Sequence, residues 1–472
     1  MDEPRDDIDT WLEERVTPLL PRPGTFEQVR KRARRRKLGQ AAMAVAGAAV
    51  VVAGAIAVPR LVLPRHVGGA PLAQSTSPTP AQQASPRSAR PSSSGTAGSV
   101  NGSATPTPSP ASDLVPPNFA ASSVTFVSQY TGWVIGQAGT PGHCGPPDPN
   151  ICTSVARTSD SGHTWHGIPA PVTGPPDGGT GVSQVRSLDG MHGWAFGPQL
   201  YATHDGGRSW HRIPTHAMRV TGLETVNGVA FAIWARCAGT GADFAAGCTS
   251  FSLYSSPAGL DDWTPVAGVT GLGASGGAPA SAQLVLTGSR GYLLAPGGHL
   301  FSGPVASRAH WHLVTSAPGA PVALPCAPGA AEADGHPLQA MLASTGPGLA
   351  LLCPGQASGG TQAKTLYYSA DRGRTWNRAG VAPAPGTAMS LSGSPSGPVM
   401  VATSDGIDVS TSAPGNGTVS WRAARGAGAP GGYSYVGMTT SQQGVAVPVR
   451  LGLDAIWFTY DGGAHWRESP VH

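Results

Sequence analysis

An eight-residue motif recurs four times in the C-terminal three quarters of the chain, and it limits the fold more than any other feature. It reads Thr158-Ser-Asp160-Ser-Gly162-His-Thr-Trp165, Thr203-His-Asp205-Gly-Gly207-Arg-Ser-Trp210, Ser369-Ala-Asp371-Arg-Gly373-Arg-Thr-Trp376 and Thr459-Tyr-Asp461-Gly-Gly463-Ala-His-Trp466. Trp263, Trp311 and Trp421 mark three further copies that keep the tryptophan. Successive tryptophans are 45, 53, 48, 65, 45 and 45 residues apart. Upstream of each lie two short apolar runs, such as Val124-Thr-Phe-Val and Gly132-Trp-Val-Ile. Each unit therefore predicts strand, turn, strand, loop, strand, Asp-Gly turn and a tryptophan-bearing strand. Four strands repeated seven times at about 50 residues per unit predict an all-β seven-bladed propeller over residues 119–472.

Inside the motif the chemistry is local. The carboxylate of Asp160, Asp205, Asp371 or Asp461 can accept backbone N–H groups in a tight turn, and Gly162, Gly207, Gly373 or Gly463 supplies a positive φ. Trp165, Trp210, Trp376 and Trp466 are expected to anchor the fourth strand, each contributing on the order of 4 to 6 kcal/mol of gross burial if fully covered. The motif is thus read as structural. It resembles the Asp-box, or bacterial neuraminidase repeat, shared by sialidases, sortilin-type receptors and photosystem II assembly factors. Gly132-Trp133 and Gly193-Trp194 look most like the assembly-factor branch. The resemblance implies a fold, because the box marks a turn and not a site.

The N-terminal quarter is organised differently. Residues 41–58 are 18 consecutive apolar residues, and with Leu38 to Gln40 they reach the length of a spanning helix over 38–58. The basic run from Arg30 to Lys37 precedes it, so the positive-inside bias puts residues 1–37 in the cytoplasm and the rest outside the cell membrane. A cleaved signal peptide is the alternative, since Ala55-Ile56-Ala57 resembles a cleavage site, but the leader is long for one. Ile8, Trp11, Leu12 and Val16 line one face of a short helix in the cytoplasmic stub. Residues 59–118 are rich in Pro, Ser, Thr and Ala and are read as a disordered tether.

Charge excludes one class of function. Residues 119–472 hold 16 basic and 17 acidic side chains, so no basic face is expected there and nucleic acid is an unfavoured partner. No cofactor pattern stands in a fitting context: Gly271-Leu-Gly-Ala-Ser-Gly276 and Gly273-Ala-Ser-Gly-Gly277 match nucleotide and hydrolase signatures, but they lie in an all-β region.

Six cysteines fall as Cys144/Cys152, Cys237/Cys248 and Cys326/Cys353, each pair inside one repeat. Outside the membrane, nearest-neighbour disulfides are expected, although six cysteines allow about fifteen connectivities. No metal site is expected, because the paired cysteines stand 8, 11 and 27 residues apart and form no ligand cluster. The strand order puts the braced loops on one face of the ring, opposite the Asp-box turns. Bracing lowers the ordering cost of binding, so His143, Arg236, Asp243, Phe244, Gln356 and Lys364 are the candidate binding residues.

A sialidase-like glycosidase needs an arginine cluster, a tyrosine and a glutamate. Only Glu224, Glu332 and Glu468 exist in the repeat region, and Arg212-Ile213-Pro214 follows the second box where the family's motif precedes the first. No catalytic set maps. The sequence points to a single-pass, non-catalytic scaffold binding an envelope protein, a peptide or a wall glycan. Glycoside hydrolysis and a transmembrane sensor are the alternatives.

Overall fold

The computed structural model describes residues 114–138, 152–176, 179–238, 248–273, 282–317, 319–326, 340–346, 348–394, 397–450 and 453–472. These form seven antiparallel sheets, each strand pairing with the next in sequence. Blade 1 spans residues 120–168, blade 2 184–212, blade 3 219–265, blade 4 283–313, blade 5 341–382, blade 6 388–423 and blade 7 433–470. Blade 3 carries an added strand, Leu272–Gly273, on its third strand, and a two-stranded ribbon (Thr315–Ala317 with Ala320–Pro321) follows blade 4. From blade 1 round to blade 7 the first strands of consecutive blades lie against one another, which makes them the inner lining of a ring, and at the closure the first strand of blade 1 meets the second and third strands of blade 7.

The apolar core is divided among the blade junctions. Seven buried clusters each draw their residues from two neighbouring blades, including blade 7 with blade 1. The period of two along a strand explains the arrangement. In blade 1, Val134 packs toward blade 7, while its neighbours Trp133 and Ile135 pack toward blade 2. Leu284 and Leu286 face blade 3, and Val285 between them faces blade 5. A blade flanked on both sides buries both faces, so its inner strands read as continuous apolar runs and not as alternating ones.

Hydroxyl groups stitch the inner strands. Ser122 Oγ donates to Ser183 O at 2.7 Å, and Ser123 Oγ accepts from Val185 N–H at 3.3 Å. The ring closes without sharing a strand: Ser469 Oγ donates to Gly162 O at 2.6 Å, Tyr460 Oη to Ser161 O at 2.8 Å, and Gln443 Nε2 to Gln129 O at 2.8 Å. Phe126 and Phe458 meet edge-on beside these bonds, with ring centres 5.6 Å apart.

The four complete motifs share one hydrogen-bond pattern. In the first, Thr158 Oγ1 donates to Asp160 Oδ1 at 2.8 Å and accepts from Gly162 N–H at 3.0 Å. Thr164 N–H and Oγ1 then donate to the two oxygens of Asp160 at 2.9 and 2.6 Å. In the last copy His465 replaces that hydroxyl, with Nδ1 2.6 Å from Asp461 Oδ2. The glycines take φ of 83°, 92°, 85° and 88°. They do more than turn the chain. A Cβ on Gly162, Gly207, Gly373 or Gly463 would strike Phe458, Ile168, Leu300 or Met400, each on the preceding blade around the ring. The motif is therefore a joint between blades as well as a turn.

One expectation needs correction. Trp165, Trp311 and Trp466 are buried, whereas Trp210, Trp263, Trp376 and Trp421 are only half-buried. The fourth strands are the short outer strands, and an indole there has a neighbour on one side and solvent on the other. Trp210 compensates by donating its indole N–H to Pro169 O at 2.8 Å.

Among the described residues no helix is long and apolar enough to cross a membrane. The cytoplasmic stub, the expected span at 38–58 and the tether up to residue 113 lie outside them.

Candidate functional site

Because neighbouring strands run antiparallel, the second-to-third-strand turns and the links between blades share one face of the ring. The turns between third and fourth strands, which hold the repeated motif, lie on the other. Two disulfides brace the first face. Cys237–Cys248 joins paired positions on the second and third strands of blade 3. Cys326–Cys353 ties the approach to blade 5 to its second strand, Gly348–Ser358. Cys144, and with it the expected Cys144–Cys152 bond, lies outside the described residues, as do His143, Asp243 and Phe244.

Of the remaining candidates, Arg236 is exposed at the end of Val229–Cys237, where the ladder register shifts. Gln356 is exposed on blade 5. Blade 4 separates the two, so they do not converge on one site. Lys364 departs from the expectation altogether. It is fully buried, and Nζ donates to the carbonyls of Ala384, Pro385 and Gly386 at 3.3, 3.0 and 2.8 Å. All three donors are used to knot blade 5 to the link that leads into blade 6. Burial pushes its ammonium pKa down, against the opposing pull of Asp408 and Asp405. Burial in turn pushes the Asp408 carboxyl up to about 6, with Lys364 opposing and Asp405 reinforcing the shift.

What the sequence did not mark is a cleft of about 740 Å³ on the braced face at the junction of blades 2 and 3. Pro198 and Gln199 in one wall belong to the second turn of blade 2, Arg212 to the end of its fourth strand, His216 to the link into blade 3, and Arg219 and Cys237 to blade 3 itself. Leu200, Ile213 and Met218 supply an apolar floor. Gln199 brackets the structure, its Oε1 accepting from Thr173 Oγ1 and Gly181 N–H at 3.1 Å each and from Tyr201 Oη at 3.4 Å. Val220 N–H donates to Pro198 O at 2.8 Å and closes the base.

The rim is built under strain. His216 and Ala217 sit at φ of 51° and 62°, a left-handed pair of non-glycine residues. Thr215 holds the turn, its Oγ1 donating to Met218 O at 2.7 Å. Arg212 and His216 are exposed, Arg219 is buried, and among the described residues no acidic side chain lines the cleft. It is thus an apolar trough with a basic rim. The one sequence hint is Arg212-Ile213-Pro214, noted above only as a misplaced motif.

A second polar group lies on the inner strands. Arg186 Nε donates to Glu224 Oε1 at 3.0 Å, and Nη1 donates to Ser123 Oγ at 3.3 Å and Val185 O at 2.8 Å. The guanidinium lies 5.7 Å from the centre of the Tyr435 ring. The two charged side chains are 3% and 5% exposed. Burial pushes the Glu224 carboxyl up, and Arg186 pulls it back. Residues from blades 1, 2, 3 and 7 meet here.

No family model matches, and no curated protein matches. YCF48 from Cyanidioschyzon merolae is 12% identical over 61% of this chain and 84% of its own, with a TM-score of 0.40. A structure of YCF48 bound to D1 peptide is 13% identical over 62% and 82%, with a TM-score of 0.39. U3-55K is 10% identical over 72% and 92%, with a TM-score of 0.45.

Proposed function

We propose that this chain is a membrane-anchored, extracytoplasmic propeller of the Asp-box type that serves as a non-catalytic scaffold, binding an acidic peptide segment in the cleft between blades 2 and 3. The observation that carries the reading is the cleft itself: an apolar trough with arginines and, among the described residues, no acidic side chain, on the face that two disulfides brace. Disulfide formation supports an oxidising compartment, and so an extracytoplasmic propeller. Peptide is favoured over glycan because, among the described residues, the lining contains no Trp, Tyr or Phe on which a sugar ring would stack. The strained His216-Ala217 turn costs about 1 to 3 kcal/mol per residue, a cost that accompanies functional loops more often than idle ones. In this reading Arg186 and Glu224 pin the ring together and catalyse nothing, since each is buried against the other.

The test is capture of envelope peptides by the full-length chain in detergent, followed by affinity measurement on the best acidic peptide. Arg212→Glu, a change at an exposed position, is expected to weaken binding by tenfold or more, about 1.4 kcal/mol. Equal affinity of wild type and Arg212→Glu would sink the proposal, and so would turnover of a glycoside that depends on Glu224.

A further inference from the structure

On the face opposite the cleft, the turns between the third and fourth strands of blades 2 and 3 meet. His204 is the second residue of the blade 2 motif, and His211 opens its fourth strand, His211–Arg212. Blade 3 has lost its own motif: counting back from Trp263, Ala258 stands in the aspartate position and Leu260 in the glycine position. Its turn instead presents Asp261, at φ 49°.

Three donor groups converge there from two blades. Nε2 of His204 and Nε2 of His211 lie 2.8 and 2.6 Å from the same oxygen, Asp261 Oδ2. The Asp261 side chain is 14% exposed, and its other oxygen is buried with no hydrogen-bond partner among the described residues, as is His204 Nδ1. A simple His-Asp contact uses one imidazole and leaves the second carboxylate oxygen to water or another donor. Here two imidazoles aim the same ring atom at one carboxylate whose second oxygen is unsatisfied, an arrangement a cation would complete. His192, held by both oxygens of Asp189 at 3.1 and 2.9 Å, packs beside the His204 ring with centres 5.4 Å apart.

We propose that His204, His211 and Asp261 form a transition-metal site, best suited to Zn²⁺, that clamps blade 2 to blade 3. Two neutral imidazoles and one carboxylate are a zinc donor set that leaves the fourth tetrahedral position to water, and imidazole disfavours Mg²⁺ and Ca²⁺. Ligand atoms about 2.0 to 2.2 Å from a tetrahedral ion stand roughly 3.3 Å apart, so the cluster opens by about half an ångström on binding. His211 has room for that shift, since its side chain is 51% exposed at the rim. Bound metal would fix the same junction that forms the cleft on the other face. The site stands whether or not the cleft binds peptide.

The full-length chain, stripped with a chelator, would be titrated with Co²⁺ alone while the visible ligand-field bands of a tetrahedral site are followed, and then with Zn²⁺ in competition. One ion per chain with such bands is expected. His211→Asn and Asp261→Asn should each weaken binding by about 100-fold or more, because even outer partners of metal ligands are worth about 10- to 100-fold. His310→Asn, in an exposed stacked histidine pair with ring centres 4.3 Å apart, should leave it unchanged. Zn²⁺ should also raise the thermal transition of the wild type and not that of His211→Asn. Absence of tetrahedral bands in the wild type, or bands that persist in His211→Asn, would overturn the assignment. Because His211 lies at the surface, that variant keeps the test decisive even if Asp261→Asn does not fold.

Discussion

In each complete motif the carboxylate of a single aspartate takes part in three or four hydrogen bonds, and its ionisation follows from them. Burial works against the charge on Asp160 and Asp205, yet bonds from Thr164, Thr158 and His163, and from Ser209, Thr203 and Arg208, hold both near pKa 2 against an ordinary 3.8. The folded values lie below the unfolded ones, so these groups contribute stability that is complete above about pH 4 and is lost as the pH falls through 2. Acid unfolding should therefore begin below pH 4, and an Asp205→Asn variant followed by circular dichroism should show a shallower fall in stability across that window. The neighbouring glycine is equally constrained. Gly207→Ala places a Cβ 2.5 Å from Ile168 Cδ1 at φ 92°, and a loss of about 2 to 4 kcal/mol in denaturant titration is expected, the sum of backbone strain and overpacking.

Between strands, the disulfides and Lys364 act as local fastenings. Cys237–Cys248 closes a short loop on paired strand positions, and its removal as Cys237→Ser/Cys248→Ser should cost up to about 3 kcal/mol while leaving the blade ladder in place. Amide exchange would show the loss confined to residues 229–257 rather than spread over the ring. Lys364 could not be distinguished from an exposed lysine by its sequence neighbours. Thr361–Ser369 reads as a strand, but which face of that strand is covered depends on the link at residues 384–386 folding back over it. Lys364→Met would take the ammonium donor from the carbonyls of Pro385 and Gly386, while Ala384 O keeps its bond from Gln362 N–H, and is expected to destabilise by about 1 to 3 kcal/mol, with no direct effect on peptide binding in the cleft.

At the scale of the ring, stability is distributed over seven junctions, and the Arg186–Glu224 pair spans four blades. Glu224→Ala alone should cost about 3 to 5 kcal/mol, because Arg186 would be left buried and uncompensated, whereas Arg186→Met with Glu224→Leu should come close to wild type. A double-mutant cycle in denaturant would show this, and a double-variant cost equal to the sum of the two single costs would argue that the pair is not coupled. The number of blades, their strand order and the Asp-Gly turns were all legible in the sequence, because each repeats a local rule: period-two burial, a hairpin residue at positive φ, a carboxylate capping its own turn. The face that carries the disulfides was legible too, since strand order alone assigns each loop to one side. The cleft, the His204–His211–Asp261 cluster and the inner Arg186–Glu224 pair were not, since each joins residues of different blades that lie tens of residues apart in sequence. Local pattern determined what each blade is. Only the tertiary structure decided which side chains meet between blades, because those contacts depend on how each twisted sheet is rotated and packed against the next, and no spacing along the chain encodes that.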